Sequence, residues 1–311
     1  MKLAVFSPIF SSISLEEALR EVKGLGLDGL ELATGGYPGD HHCYSKRLLY
    51  NPEGIEELLS AFDKYDLQIS ALSCHGNPLH PQREKADEFH SVWRSTVLLA
   101  EKLAVDTVNC FSGCPGDSSN SKCPNWVTCS WPEDYSEILR WQWGESVIPY
   151  WKEEARFARD HGVKIAIEMH PGFVVYNTES LLRLRNAAGS NLGCNFDPSH
   201  LFWQQADPEA VVRALAGNNA LYHVHAKDTA FNQEILSVNG VLETKGADKV
   251  SERAWNFRTV GRGHDEEFWC RMIRTMRDAG YDGFISIEHE DRLIDNRIGL
   301  EEAATVLKRC L

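Results

Sequence analysis

The chain has 311 residues, 43% of them hydrophobic and 25% charged, the make-up of a soluble globular protein with ample material for a core, and no apolar run is long enough to span a membrane. Its 45 acidic side chains outnumber 32 basic ones for a formal net charge of −13, which repels phosphate backbones and anionic bilayers, so neither nucleic acid nor a membrane is expected as a partner. The nine cysteines are odd in number and scattered, and Cys74, Cys110 and Cys194 lie in apolar strand-like runs; they read as free thiols in a reducing compartment.

A strand-like run begins at Lys2 with no charged leader before it, which points to a cytoplasmic protein. From there short β-type runs alternate with amphipathic helical stretches. The expected strands are Leu3–Phe6, Gly29–Ala33, Gln68–Ser73, Thr107–Phe111, Lys164–Glu168, Leu192–Phe196, Leu221–His225 and Phe284–Glu288. The tracts between them carry apolar residues at helical spacing, as in Leu15, Ala18, Leu19 and Val22. Eight βα units without a Pro/Gly/Ser-rich linker predict a single closed (β/α)8 barrel of parallel strands, one domain over residues 1–311, rather than an open doubly wound sheet.

Two connections exceed a simple βα loop. Ser112 to about Pro132 is rich in Gly, Ser, Pro and Cys and carries Trp126 and Trp131; Thr229 to about Gly263 ends in Val260-Gly261-Arg262-Gly263-His264. Both follow the C-terminal end of a strand, the face on which such barrels carry their chemistry, so they read as lids or binding loops; decoration or a subunit contact in a homo-oligomer is the alternative. The intervals among Cys110, Cys114, Cys123 and Cys129 lack the paired spacing of a zinc ribbon.

Four strands switch abruptly from apolar residues to metal-competent ones: Ile165-Ala166-Ile167-Glu168, Cys194-Asn195-Phe196-Asp197, Tyr222-His223-Val224-His225 and Ile285-Ser286-Ile287-Glu288. A carboxylate there points into the barrel mouth, where an unpaired charge is costly. One divalent cation neutralises three carboxylates most economically. Three carboxylate oxygens and one imidazole nitrogen suit manganese foremost, magnesium or cobalt equally in kind, and admit zinc or iron. His225 is preferred over His223 as the ligand because it lies nearer the C-terminal end of its strand. Lys227 and Asp228 read as a local ion pair, with a substrate role for Lys227 as the alternative.

At this point the sequence resembles the xylose isomerase-like barrel superfamily of sugar phosphate isomerases and epimerases, which also includes endonuclease IV. The resemblance covers the chain and rests, in order, on Ile167-Glu168-Met169-His170, Asn195-Phe196-Asp197-Pro198-Ser199-His200, His223-Val224-His225-Ala226-Lys227-Asp228, Gly261-Arg262-Gly263 and Ile287-Glu288. In ketose 3-epimerases of this superfamily the residues matching Glu168, Asp197, His225 and Glu288 hold one metal, and the two glutamates serve as the acid/base pair. His200 and Arg262 match substrate-contacting residues. His75 matches a metal-facing position and is expected to donate to a substrate oxygen. Asn109 stands where an endonuclease IV-like enzyme supplies a histidine of its three-zinc cluster, which argues against a nuclease.

The implied activity is a metal-dependent sugar isomerase or epimerase that removes a proton beside a carbonyl and passes through a metal-bound enediolate, with a small sugar or keto-sugar as substrate. Glutamates on nonadjacent strands can serve opposite faces of one carbon. The rival is lyase chemistry, in which the same enolate expels a β-leaving group, as in inosose dehydratases or C-glycoside deglycosidases acting on 3-keto sugars. A non-catalytic sugar-binding barrel should lack one of the four ligands, and all four are present.

Overall fold

The computed structural model describes residues 1–311. Ten strands form: β1 (Lys2–Phe6), β2 (Gly29–Ala33), β3 (Gln68–Ser73), β4 (Thr107–Cys110), β5 (Lys164–Glu168), β6 (Leu192–Phe196), β7 (Leu221–Ala226), β8 (Asp228–Phe231), β9 (Trp255–Arg258) and β10 (Phe284–Ile287). Eight of them close into a parallel barrel in the order β1-β10-β7-β6-β5-β4-β3-β2, and β8 and β9 form a separate two-stranded sheet. All eight barrel strands fall where the sequence pattern predicts them, within a residue at either end.

The helices between strands start where local chemistry starts them. Ser14 and Glu17 make a reciprocal capping box ahead of helix Leu15–Gly24, which buries the predicted Ala18, Leu19 and Val22. Asn51, Asn177, Asp207, Asp265 and Asp295 likewise cap helices beginning one residue later. The core between barrel and helices includes Leu30, Leu72, Val108, Ile165, Phe196, Val224, Trp151 and Trp269, all fully buried. Leu, Ile and Val commonly fill barrel interiors. This one instead buries Glu31, Ser73, Asn109, Asn195, His223, His225 and Ser286 on its strands.

The segment after β7 departs from the expected loop. Asp228–Phe231 pairs antiparallel with Trp255–Arg258, and helix Gln233–Asn239 rises between them. Trp203 stacks on Trp255 with ring centroids 5.4 Å apart, giving this cover a small apolar core of its own. Thr229, Phe231, Trp255 and Phe257 suit strands but Asp228, Ala230 and Asn256 do not, and pairing across so long a connection leaves no local periodic signal. The segment after β4 runs irregularly to Pro132 and enters helix Glu133–Trp141, a π-helical turn at Gln142–Val147 and helix Ile148–Asp160.

One cysteine expectation is corrected. Cys270 and Cys310 are joined in a disulfide, because helices Glu266–Asp278 and Asn296–Cys310 pack side by side and bring the two Cα atoms to 4.5 Å. The other seven cysteines are free thiols.

Candidate metal centre and substrate cavity

Each β-strand that ends in a polar residue delivers it to the same end of the barrel, since all eight strands run parallel. Glu168 closes β5, Asp197 follows β6, His225 lies one residue from the end of β7, and Glu288 follows β10. One donor atom from each of these four lies within 4.8 Å of the other three. Residues far apart in the chain are therefore gathered into one donor set, with only Glu288 more than marginally exposed.

Within it, His225 Nδ1 lies 3.1 Å from Glu288 Oε2 and 3.3 Å from Glu168 Oε2, so that nitrogen faces two carboxylates at once. Glu168 is ringed by donors: His75 Nε2 at 3.0 Å, Asn195 Nδ2 at 3.1 Å and His200 Nε2 at 3.2 Å. Burial alone would raise the Glu168 carboxyl, but His75 and hydrogen bonds from His200 and His225 outweigh it and hold it well below the usual range. Burial opposes ionisation of Asp197 too, and Lys227 and His200 reverse the balance. His200 itself is pushed up to about 9: burial favours its neutral form, and Asp197 overrides burial.

The donor chemistry fits a divalent ion. Asp197 Oδ2 is buried and has Lys227 Nζ at 3.0 Å and His200 Nε2 at 3.1 Å, yet it accepts no well-directed hydrogen bond. A buried carboxylate oxygen without a directed donor, beside two further carboxylates and an imidazole nitrogen, is the hard oxygen-rich set that manganese, magnesium or cobalt takes and zinc tolerates.

Above the four residues opens a cavity of about 630 Å³. Glu168, Glu288, Lys227 and His75 line its polar side, and Phe6, Tyr37, Phe111 and Phe173 line the other. Phe111 stacks on Phe173 with centroids 4.3 Å apart, and Tyr37 leans on both. Burial pushes His170, which stands between Phe111 and His200, down to about 3.

The other residues singled out from the sequence fall in different places. His75 lines the cavity, whereas His200 sits behind Glu168 and Asp197. Arg262 joins neither; its guanidinium binds both oxygens of Glu302, at 2.6 and 2.8 Å, on the exposed surface.

Lys227 does not pair with Asp228. It is buried, with Nζ 2.8 Å from Glu288, 3.0 Å from Asp197 and 3.2 Å from Glu290, and these carboxylates raise it against the pull of burial. Neighbouring strand residues point to opposite sides, so Asp228 turns away. It accepts from the backbone N–H groups of Gly261, Gly263 and His264, from His264 Nδ1 and from Trp269 Nε1, anchoring the Gly261-Arg262-Gly263 turn. A hydrogen-bonded buried acid of this kind is structural.

Glu31, on β2, went unnoticed in the sequence although it is fully buried next to the donor set. A single acid in Gly29-Leu30-Glu31-Leu32-Ala33, inside a strand rather than at its end, gives no hint that its partners lie on β3, β4 and β7.

The profile of the xylose isomerase-like TIM barrel family matches residues 19–310. The chain belongs to that family. It is similar to the Bacillus subtilis protein YfiH, 38% identical over 314 residues with 100% of this chain and 99% of YfiH covered. Among solved structures, the probable 3-DHS dehydratase AsbF of petrobactin synthesis from Bacillus anthracis aligns over 99% of both chains with a TM-score of 0.67 at 18% identity. A D-tagatose 3-epimerase-like protein aligns over 99% of both chains with a TM-score of 0.65 at 22% identity. An IolI protein with a bound zinc atom covers 100% of this chain and 96% of its own with a TM-score of 0.66 at 18% identity. At such identities these structures establish the shared barrel fold.

Proposed function

We propose that the chain is a divalent-metal-dependent sugar isomerase or epimerase, in which Glu168, Asp197, His225 and Glu288 hold one ion and Glu168 and Glu288 also exchange protons with a carbon beside the substrate carbonyl. The observation that carries this reading is the convergence of three carboxylates and one imidazole at one end of the barrel, below a sugar-sized cavity. When bound, the ion would supply positive charge to the carbonyl oxygen and its neighbouring hydroxyl, manganese being the first choice.

The chain's own groups do the rest. Glu168, held ionised by its imidazole neighbours, accepts the proton. Glu288 follows β10, which β6 and β7 separate from β5, and can address the other face of the same carbon. Acid on one face and base on the other inverts a centre; return of the proton to the neighbouring carbon isomerises instead. His75 and Lys227 line the cavity and are assigned to substrate oxygens, while His200 works through Glu168 and Asp197. The aromatic side of the cavity seats the apolar face of a sugar ring and keeps water out. Arg262, paired with Glu302, contacts substrate only if that surface pair opens.

The test is incubation of metal-loaded protein with free ketoses, inososes and 3-keto-glucosides in deuterated water. Deuterium at the carbon beside the carbonyl together with a new epimer or isomer is expected. An eliminated product without isomer would convert the reading to a lyase, the class to which a dehydratase such as the probable 3-DHS dehydratase AsbF belongs. Exchange with none of them would refute proton abstraction on these substrates. Metal analysis should return about one ion per chain, and two or three tightly held zinc ions would revive a nuclease of the three-metal type.

A further inference from the structure

Glu31 collects more hydrogen bonds than any other acid inside the barrel. Its Oε1 accepts from Ser73 Oγ, from Asn109 Nδ2 at 2.9 Å and from His225 Nε2 at 2.9 Å. Its Oε2 lies 2.8 Å from His223 Nε2 and 3.1 Å from His225 Nε2. The side chain has no solvent exposure and does not line the cavity, so it touches neither solvent nor a substrate placed there.

The two ring nitrogens of His225 are thus addressed from opposite sides. Nε2 is held by Glu31 on β2, and Nδ1 faces Glu168 and Glu288. A carboxylate fixed by Ser73 and Asn109 is an acceptor only, so Nε2 beside it must carry a proton, and Nδ1, which faces Glu168 and Glu288, is the nitrogen that would release its proton and offer a lone pair to an ion. An imidazole that binds a metal through one nitrogen characteristically gives its other N–H to a carboxylate, which sets the ring orientation and strengthens the donor.

We propose that Glu31 is a positioning residue of the metal centre: it holds the proton of His225 on Nε2 and so leaves Nδ1, turned to Glu168, Asp197 and Glu288, as the nitrogen that would bind the ion. This rests on the metal-binding reading above and adds a residue to it. Ser73 and Asn109 restrain Glu31 in turn, and His223 occupies its remaining lone pairs. The choice between the two histidines of β7 follows from this. Both side chains point inward, but His223 Nε2 is engaged by Glu31 and Ser286 on the side away from the cavity, while His225 alone spans from Glu31 to the donor set. Glu31, His223 and His225 also form a compact donor group of their own. The protein donors already on both Glu31 oxygens fill the positions an ion would need there.

Two measurements on the full-length chain test this. Competition titration with manganese or cobalt against a chromophoric chelator should show Glu31→Gln binding the ion roughly 10- to 100-fold more weakly than the unaltered chain. Independently of how that variant folds, long-range nitrogen–proton NMR on ¹⁵N-histidine-labelled, unaltered protein loaded with ¹¹³Cd should show cadmium coupled to His225 Nδ1 and a proton on Nε2. Cadmium on Nε2, a folded Glu31→Gln that binds as tightly as the unaltered chain, or a second ion per chain would each overturn the assignment. Failure of the unaltered chain to bind any of these ions would overturn the metal-binding reading itself, a different result from normal binding by Glu31→Gln.

Discussion

Lys227→Met probes the charge balance of the centre. The side chain is buried and its Nζ lies within 3.2 Å of oxygens of Glu288, Asp197 and Glu290, two of which belong to the proposed donor set. Methionine keeps most of the volume and removes the cation, so without metal the carboxylates are left short of one positive charge. Removing one partner of a buried ion pair costs about 3–5 kcal/mol, because the remaining charge stays desolvated. For a chain of 311 residues, the usual unfolding entropy per residue makes 1 kcal/mol worth about 1.5 °C, so the melting temperature of the metal-free variant should fall by roughly 5–8 °C. A divalent ion should then do more for the variant than for the unaltered protein, since Nζ no longer competes for the Asp197 and Glu288 oxygens. Scanning fluorimetry of chelator-treated protein across a manganese series measures both effects on one plate. A melting temperature that neither drops without metal nor recovers more steeply with it would refute the argument. A drop with no gain in metal response would show that the oxygens beside Lys227 are not ligands.

Glu168→Gln and Glu288→Gln should each lose turnover far beyond their loss of metal, because the amide keeps an oxygen ligand but cannot accept a proton; near-normal kcat in either variant at saturating metal would reduce that residue to a ligand. His200 is raised from an ordinary histidine value to about 9 in the folded protein, so its contribution to stability is complete below about pH 6.5 and is lost as pH rises through 9. That loss is on the order of 3 kcal/mol at most; chemical denaturation of metal-free protein between pH 6 and 10 should show it, and His200→Asn should flatten the curve. Trp131 is 76% exposed in the segment after β4, so Trp131→Ala should leave the melting temperature within about 1 °C while weakening kcat/KM if that segment covers bound substrate. A large fall in melting temperature with unchanged kinetics would mark it as packing.

The barrel could be read from the sequence because its signals are local. Alternating β-type and helical runs, and polar residues placed abruptly after apolar strands, depend on residues within a few positions of one another, and parallel closure then carries Glu168, Asp197, His225 and Glu288 to one end. Which side chains meet inside that ring is a property of strand order and register. Glu31 and His225 are 194 positions apart in the chain and touch only because β10 and β1 close the barrel between β7 and β2. The same register sends Lys227 into the carboxylates and turns its neighbour Asp228 toward the Gly261 turn, so the local pair suggested by adjacency does not form. The β8–β9 hairpin, the Cys270–Cys310 bridge and the pairing of Arg262 with Glu302 are decided in the same way. Each joins residues at least 24 positions apart, beyond any helical or strand period, and only packing brings their atoms together.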